Sequence, residues 1–334
     1  MTAVHQLRAS FLANPRIEPF VEGAVSVPGA RLEWTLGHPA TLHLKHLHEN
    51  CFDVFEFSLS GYLVARDRPQ WASLGWTALP VFLAKAFLPF ELYVNRSAHI
   101  RTWADLAGKR IGVPDYNMTA AIWLRILLRE LYGVQPSEIE WVNGRRPTER
   151  HSTVLGFREG AGKDHVWEID DLRHGAALGD LLAEGIVDAA FGDGKSVPIV
   201  PGRRVRLLLR PSQARALMER FTRKTGASPI NHVVIIKQDV LACWPESARL
   251  FYTALEQSKL ISYERAVKAA GAYLLFPAAN FADQERALGR DPFPSGIAAN
   301  RRTLDLLMNQ MVAEGQLDRP MEIETLFAES MRNT

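Results

Sequence analysis

In the middle of the chain, an apolar run is followed by a polar turn and then by apolar residues at helical spacing. The β-branched run Arg110–Val113 predicts a strand, which Pro114 ends. Residues 115–119 include several good helix N-caps, and apolar residues at helical spacing over 120–132 predict a helix. A helix start after a strand can bind an anion, because its free N–H groups and its dipole point outward. Helix capping by the same residues is the alternative.

Other apolar runs also end in polar residues that a cleft could use. Residues 52–57 predict a strand, and Ser58 and Ser60 follow at the start of the next helix. Residues 185–191 predict another strand, which leads into a flexible polar turn that contains Asp193. Ligands of α/β proteins bind beyond the carboxyl ends of strands, so these are candidate cleft residues. Capping would explain the serines equally well.

A helix predicted over residues 42–50 carries His43, His46 and His48. A metal cluster is one interpretation, but the spacing fits no common zinc motif. We expect a solvated helix face and no metal site. Arg145 and Arg146 follow a strand predicted over 140–142, where they could fork onto a carboxylate unless they are simply solvated.

Composition narrows the class of protein. The chain has 334 residues, of which 47% are hydrophobic, enough for two domains with a sizeable core. The formal net charge of +2 does not favour binding to nucleic acid or to an anionic membrane. No apolar window reaches transmembrane length, and residues 1–10 contain no apolar signal region, so we expect a cytoplasmic protein. Cys51 and Cys243 are expected to be reduced thiols.

The segment 100–114 resembles the start of the second lobe in type II periplasmic-binding-protein folds. The matching residues read I-x-x-W-A-D-L-A-G-K-R-I-G-V-P. The resemblance implies an α/β fold of two lobes joined by two crossing strands, with the ligand cleft between the lobes and closure by hinge motion. We expect residues 1–93 and 236–334 in lobe one and residues 94–235 in lobe two. The crossing segments 92–95 and 232–236 should lie side by side.

Further motifs resemble the 4,5-dihydroxyphthalate decarboxylase family. They are F-D-V-x-E-F-S-L-S-x-Y at 52–62, D-Y-x-x-T-A-x-x-W-x-R at 115–125, P-I-x-H-V-V at 229–234 and D-P-F-P-x-G-I-x-x-N-R-x-T-L at 291–304. They are spread over nearly the whole chain in the expected order. The chain departs from the family before Arg16, where an acidic or aromatic residue is expected, and in the long charged segment 144–170.

The resemblance implies a cofactor-free decarboxylase that converts a dihydroxylated aromatic dicarboxylate of the 4,5-dihydroxyphthalate type to a product of the protocatechuate type. Protonation of the ring carbon before carbon dioxide leaves requires an acid over the ring and a base on the phenol. We assign the acid to His232, which lies at the expected hinge, because imidazole carries protons near neutral pH. Glu56 or Asp193 is the expected partner on the phenol. A structural role for His232 is the alternative.

The same hypothesis assigns residues that bind the substrate. Arg16, with Arg145 or Arg146, would clamp the carboxylates, while hydroxyl and helix-start groups would donate hydrogen bonds. The full set is Arg16, Ser58, Ser60, Tyr116, Asn117, Thr119, Arg145 and Arg146.

A different class of function fits the same fold, namely a non-catalytic solute-binding protein of an ABC-type transporter for an aromatic or small carboxylate. The expected lack of an export signal favours the enzyme. The partner is then a small aromatic carboxylate, with no nucleic acid, membrane, cofactor or metal, while a homo-oligomer stays open. Consumption of added substrate, as opposed to binding alone, separates the two classes.

Overall fold

The structure, a computed structural model, describes residues 4–85, 91–157, 166–192 and 199–334. Strands of these residues form two separate sheets. In chain order the strands are β1 His5–Leu12, β2 Ala30–Gly37, β3 Val54–Ser58, β4 Trp76–Leu79, β5 Tyr93–Asn95, β6 Arg110–Val113, β7 Glu140–Asn143, β8 Trp167–Glu168, β9 Ala189–Ala190, β10 Val205–Leu207 and β11 His232–Lys237.

Helices connect the strands and cover the sheets, as in other α/β proteins. They are α1 Glu18–Val21, α2 Pro39–Glu49, α3 Leu59–Asp67, α4 Thr119–Leu127, α5 His151–Leu155, α6 Ile169–Leu172, α7 Leu178–Glu184, α8 Pro211–Thr225, α9 Gln238–Cys243, α10 Ser247–Ala270, α11 Pro277–Leu288 and α12 Ile297–Ala313. Across the described ranges, none of these helices combines the length and the apolar character needed to span a membrane. Cys51 and Cys243 are both free thiols.

The first sheet has the strand order β2-β1-β3-β11-β4. β1 runs parallel to β2 and β3, whereas β11 is antiparallel to both of its neighbours. The strand that begins at His232 therefore lies inside a sheet whose other strands come from the first 79 residues of the chain.

Successive side chains of β3 point to opposite faces of the sheet. Phe55 and Phe57 point into the larger hydrophobic core, while Val54 on the opposite face joins a second core. Glu56 and Ser58 share the face of Val54, because side chains two residues apart point the same way. Both polar residues are buried near the carboxyl end of the strand.

The second sheet has the strand order β10-β5-β9-β6-β7-β8. The predicted lobe boundary after residue 93 falls inside β5 of this sheet. The predicted return after residue 235 falls inside β11, which belongs entirely to the first sheet. The pattern of apolar residues does not locate this return, because polar His232 already pairs in the strand opposite Ser58.

The strand pairing corrects the prediction that residues 92–95 lie beside β11. Residues 92–95 and 232–236 lie in different sheets, so they are not side by side. The segment beside the start of β11 lies just after β4: the Asn231 N–H donates to the Ala84 carbonyl at 2.7 Å, and the Val234 N–H donates to Val81 at 3.1 Å. The chain thus leaves the first sheet alongside the strand that later returns to it.

The larger hydrophobic core continues from one sheet to the other. It contains Phe55 and Phe57 of β3 as well as Ile111 and Val113 of β6, with Trp123 of α4 between helices of both parts. A large shared apolar interface opposes independent movement of two domains. The hinge closure expected from the sequence stays a prediction.

Candidate active site

A cavity of about 240 Å³ lies between the two sheets and is bordered by residues of both. Its lining combines small apolar residues with polar groups from separate parts of the chain, which is typical of a small-molecule site. The lining residues are His38, Pro39, Ala40, His43, Ser58, Ala84, Met118, Thr119, Ala120, Arg145, His151, Asn231 and His232.

His232 and Glu56 meet at the first-sheet wall of this cavity. The antiparallel register sets His232 opposite Ser58, and Glu56 lies two residues earlier on the same face of β3. His232 Nδ1 donates to Glu56 Oε1 at 2.8 Å, because an ionised carboxylate can only accept. The other carboxylate oxygen, Oε2, accepts from the Leu12 N–H at 3.3 Å.

Burial differs between these two partners in a way that matters for chemistry. The Glu56 side chain is fully buried, and 14% of the His232 side chain is exposed. Glu56 therefore fixes the orientation and the tautomer of His232, whose remaining nitrogen, Nε2, is the one left to serve a ligand.

Hydroxyl groups from both sides of the cavity form a connected cluster. Thr119 Oγ1 lies 2.9 Å from Ser60 Oγ and 3.2 Å from Ser58 Oγ. The Ser60 N–H also donates to Thr119 Oγ1 at 3.1 Å, so the starts of α3 and α4 are tied together here. Ser58 and Thr119 line the cavity, whereas Ser60 lies behind them.

The wall formed by the second sheet carries positive charge. α4 begins at Thr119, and its N-cap residue, Met118, makes no side-chain capping bond, so no N-cap side chain covers the first-turn N–H groups. Arg145 lies on the same wall and is buried. Its N–H donates to the Pro114 carbonyl at 2.9 Å, which holds the end of β7 against the turn after β6. A helix N-terminus beside a buried guanidinium favours an anion.

Three further histidines line the cavity, namely His38, His43 and His151, and the sequence singled out none of them for this site. His43 of α2 lies with its ring centroid 5.0 Å from that of His232 and 5.3 Å from that of His151 of α5. The approach of α5 depends on Gly61, because a Cβ there would lie 2.9 Å from the Phe57 ring and 3.3 Å from His151.

His43 and His151 are both held neutral. Burial is the main cause that lowers the pKa of His43 well below its ordinary value, and positive charge on His232, His151, His46 and Arg145 adds to it. Burial also lowers the pKa of His151 to about 4, although the Asp115 carboxylate opposes the shift. Neutral imidazoles can accept a hydrogen bond at one nitrogen and donate at the other.

The solvated helix face expected for residues 42–50 is wrong for His43 and His46, whereas His48 is exposed. His43 and His46 are both buried, because α2 packs them against the first sheet and α5. A signal was present: residues 42, 43, 46 and 47 are the buried ones, a helical stripe once histidine is counted with the apolar residues. His151 follows charged residues, and no sequence pattern marks it.

Several predicted ligand residues lie away from the lining of the cavity. Tyr116 is buried under Arg125, whose guanidinium carbon is 3.8 Å from the centre of its ring. Asn117 Oδ1 accepts from Gln316 Nε2 at 2.9 Å in the same buried region. Arg146 reaches outward to Asp170, with Nε 3.1 Å from Oδ2.

Two predicted residues remain. Arg16 packs its guanidinium on Phe293, 3.8 Å from the ring centre, and donates to the Leu83 carbonyl, next to Ala84 of the cavity lining. Burial lowers the pKa of Arg16, and the nearby Tyr263, Glu56 and Asp291 oppose that shift. Asp193 lies outside the described residues. Within the described ranges, no group of three or more His, Cys, Asp or Glu side chains is arranged to hold a metal ion.

Sequence comparison links the chain to a known class of enzyme. A curated protein of Comamonas testosteroni named 4,5-dihydroxyphthalate decarboxylase is 29% identical over 317 residues, 93% of either chain. A protein of Pseudomonas putida with the same name is 36% identical over 179 residues, 53% of this chain and 66% of that one. The chain is similar to proteins named 4,5-dihydroxyphthalate decarboxylase. No family model matches it.

Solved structures identify the fold as that of type II periplasmic binding proteins. The periplasmic aliphatic sulphonate binding protein SsuA from Escherichia coli superposes with a TM-score of 0.56, at 13% identity and 99% coverage of both chains. The desulfurization enzyme DszB superposes with a TM-score of 0.52, at 16% identity and coverage of 97% of this chain and 96% of that one. At such identities the similarity concerns the fold and leaves the activity to be argued from the site.

Proposed function

We propose that the protein is a carboxy-lyase that removes one carboxylate from a dihydroxylated aromatic dicarboxylate of the 4,5-dihydroxyphthalate type. Similarity to decarboxylases along 93% of the chain supports the class of reaction. The observation that carries the proposal is the His232–Glu56 pair, a histidine held by a buried carboxylate with its second nitrogen left for the cavity. This is the arrangement of a general acid with its orienting partner.

The reaction needs one proton from the protein. Protonated His232 gives its Nε2 proton to the ring carbon that carries the departing carboxylate. The bond between ring and carboxylate then breaks, its electron pair returns to the ring, and carbon dioxide leaves. His232 is left neutral and takes up a proton from solvent before the next turnover.

Binding of the retained carboxylate falls to the opposite wall. Arg145 and the start of α4 supply positive charge, and the Ser58–Thr119 hydroxyls supply hydrogen bonds. Arg145 and Thr119 line the same cavity of about 240 Å³ as His232, while Ser58 lies beside His232 on the neighbouring strand. A flat ring held there by its carboxylate must turn one face to the imidazole, because the proton adds to the π system of the carbon that carries the departing carboxylate.

Glu56 is better suited to orient His232 than to take the phenol proton. Its Oε1 is engaged by His232 Nδ1 and its Oε2 by the Leu12 N–H, so both oxygens already have a partner. The phenol therefore needs another base or acceptor. The sequence predicts Asp193 for that role.

A panel of phthalates tests the proposal. Purified protein is incubated with phthalate, with 4-hydroxyphthalate and with 4,5-dihydroxyphthalate, and released carbon dioxide is measured together with the aromatic product. We expect release from the dihydroxylated compound and none from phthalate. The Glu56→Gln variant should turn over about 10- to 100-fold more slowly, since a hydrogen bond to a charged group contributes about 1.5–3 kcal/mol. Tight binding of all three compounds without carbon dioxide would favour a solute-binding protein.

A further inference from the structure

The proposed reaction leaves two buried cavity histidines without a task. His43 and His151 line the cavity with 2% and 5% of their surface exposed. The Nε2 atom of each ring has no hydrogen-bond partner among the described residues. Buried polar atoms are satisfied in the great majority of proteins, so each unsatisfied one calls for an explanation. His46 Nδ1 is also buried without a hydrogen-bond partner among the described residues, but of these three rings only those of His43 and His151 border the cavity. Their Nε2 atoms are closed to solvent, so a ligand in the cavity reaches them when the rings turn toward it.

The chemistry of the rings restricts what that ligand group can be. Each ring is neutral, since burial lowers the pKa of both histidines. A neutral imidazole exchanges hydrogen bonds with a hydroxyl group, which both donates and accepts, better than it attracts a carboxylate. The carboxylate has a more favourable location at Arg145 and the start of α4, where the charge is positive.

The distance between the two histidine rings indicates that they bind hydroxyls on adjacent carbons of the ligand ring. The ring centroids of His43 and His151 are 5.3 Å apart with an interplanar angle of 81°, so the two rings form one corner of the cavity. Adjacent hydroxyls on an aromatic ring can each contact one of two neighbouring imidazoles. A single hydroxyl would leave one of the two buried nitrogens unsatisfied, which costs free energy.

We propose that His43 and His151 recognise the two adjacent hydroxyl groups of the substrate ring and so select dihydroxylated over monohydroxylated compounds. The inference rests on the proposed function for the identity of the ring, and it assigns selectivity to residues that no motif in the sequence marked. An imidazole that accepts from the hydroxyl para to the departing carboxylate also draws electron density toward the carbon that is protonated.

His46 provides a matched control on the same helix. It lies one turn from His43, is equally buried, and packs against Phe55 with its Nε2 3.0 Å from Ser10 Oγ. It does not line the cavity. Replacement of His46 changes a buried histidine without removing a group from the proposed hydroxyl site.

Binding of unreactive ligands tests the inference without reliance on turnover. Affinities for 3,4-dihydroxybenzoate, 3-hydroxybenzoate and benzoate are measured by calorimetry on the wild type and on His43→Phe, His151→Phe and His46→Phe. Phenylalanine keeps a flat ring and removes the nitrogens. We expect each cavity variant to bind 3,4-dihydroxybenzoate about tenfold more weakly, the value of one hydrogen bond, while benzoate changes less than about twofold. The His46 variant should match the wild type for all three ligands.

A second variant keeps the test decisive if a phenylalanine disturbs folding. His43→Gln retains a donor and an acceptor, so it should keep most of the preference for the dihydroxylated ligand. Equal losses for benzoate and 3,4-dihydroxybenzoate, no loss for either, or a glutamine variant as unselective as phenylalanine would each overturn the inference. Wild-type protein that releases no carbon dioxide but shows this histidine-dependent preference would refute the decarboxylase while the hydroxyl site stands.

Discussion

The pairs His232–Glu56 and Arg125–Glu314 each bury a glutamate against a nitrogen base, yet they differ in what can reach them. Arg125 Nε and Nη2 contact the two oxygens of Glu314 at 2.6 and 2.7 Å, with 0% and 5% of the side chains exposed. Gln310 and Gln316 donate to the same carboxylate. The His232–Glu56 pair has one contact at 2.8 Å and borders the cavity.

The difference separates an ion pair enclosed by protein from a pair that borders the cavity and that we propose to be reactive. Every oxygen of Glu314 is satisfied inside the protein, and Arg125 also donates to the Tyr116 carbonyl at 2.7 Å, so nothing is left for a ligand. The pair joins α4 to the end of α12 and holds the two parts of the molecule together. In the other pair, the single contact occupies one nitrogen of an imidazole and leaves the second available for proton transfer.

Replacement of His232 tests the reactive member of the comparison and should have the largest effect. If His232 supplies the proton to the ring, His232→Ala lowers turnover by roughly 10²–10⁴-fold, with a much smaller change in substrate affinity. His232→Asn keeps a hydrogen-bond donor but cannot cycle a proton, so it should be nearly as inactive. Melting temperature serves as the control, and turnover within about threefold of the wild type would contradict the assignment.

Replacement of Arg125 tests the structural member. Arg125→Met leaves the Glu314 carboxylate buried without its ion-pair partner, which should lower the free energy of unfolding by about 3–5 kcal/mol. The double variant Arg125→Met/Glu314→Leu should recover most of that loss, because no buried charge remains. Urea unfolding measures both. A loss under about 1 kcal/mol in the single variant would show that the pair does not hold the two parts together.

Acid should destabilise the protein through its buried neutral histidines. Burial lowers the pKa of His151 from an ordinary value of 6.5 to about 4 and that of His46 to about 3. Below pH 6.5 these histidines are protonated in the unfolded chain but stay neutral in the folded protein, so the free energy of unfolding falls with falling pH. Each histidine adds a slope of up to about 1.4 kcal/mol per pH unit, which ends near its own folded pKa.

Unfolding free energies between pH 7 and pH 5 measure this slope. The His46→Phe variant should show a shallower fall than the wild type, because it removes one such histidine. An identical slope in both proteins would mean that His46 is protonated in the folded state.

The smallest expected effect concerns the hydroxyl cluster at the start of α4. Thr119→Ala removes the oxygen that accepts from the Ser60 N–H and contacts Ser58, so carboxylate affinity should weaken by about 1 kcal/mol. Thr153→Ala, at an exposed position of the neighbouring α5, is the control and should leave affinity unchanged. Unchanged affinity in the Thr119 variant would remove this hydroxyl from the binding site.

Local patterns predicted the elements of the site better than their assembly. The strand, turn and helix around Thr119 followed from β-branched residues, a proline and helical spacing, and Thr119 is the first residue of α4. His232 stood out because it precedes an apolar run. Tyr116 belongs to the same local pattern, yet its burial under Arg125 depends on the Glu314 partner, 189 residues further along the chain from Arg125.

The histidine cluster shows why the rest could not be predicted. His43, His151 and His232 come from three distant segments, and their rings meet because β11 inserts into the first sheet while α5 packs on α2. Periodicity reports which face of an element is buried and carries no information on which distant element covers it. The buried histidines of α2 were misassigned for a different reason: their polar character suggested solvent, although their helical spacing matched the buried stripe.

The position of β11 between β3 and β4 has a consequence for how the chain matures during synthesis. Its two neighbours end at residues 58 and 79, whereas β11 starts at residue 232, so their facing edges must wait for more than half of the chain to be made. Pairing across such a sequence separation is slow, and open strand edges are prone to aggregation. The last strand to join the sheet also brings His232 to Glu56. Every shorter nascent chain therefore lacks the His232–Glu56 pair, so the proposed activity cannot begin before this sheet is complete.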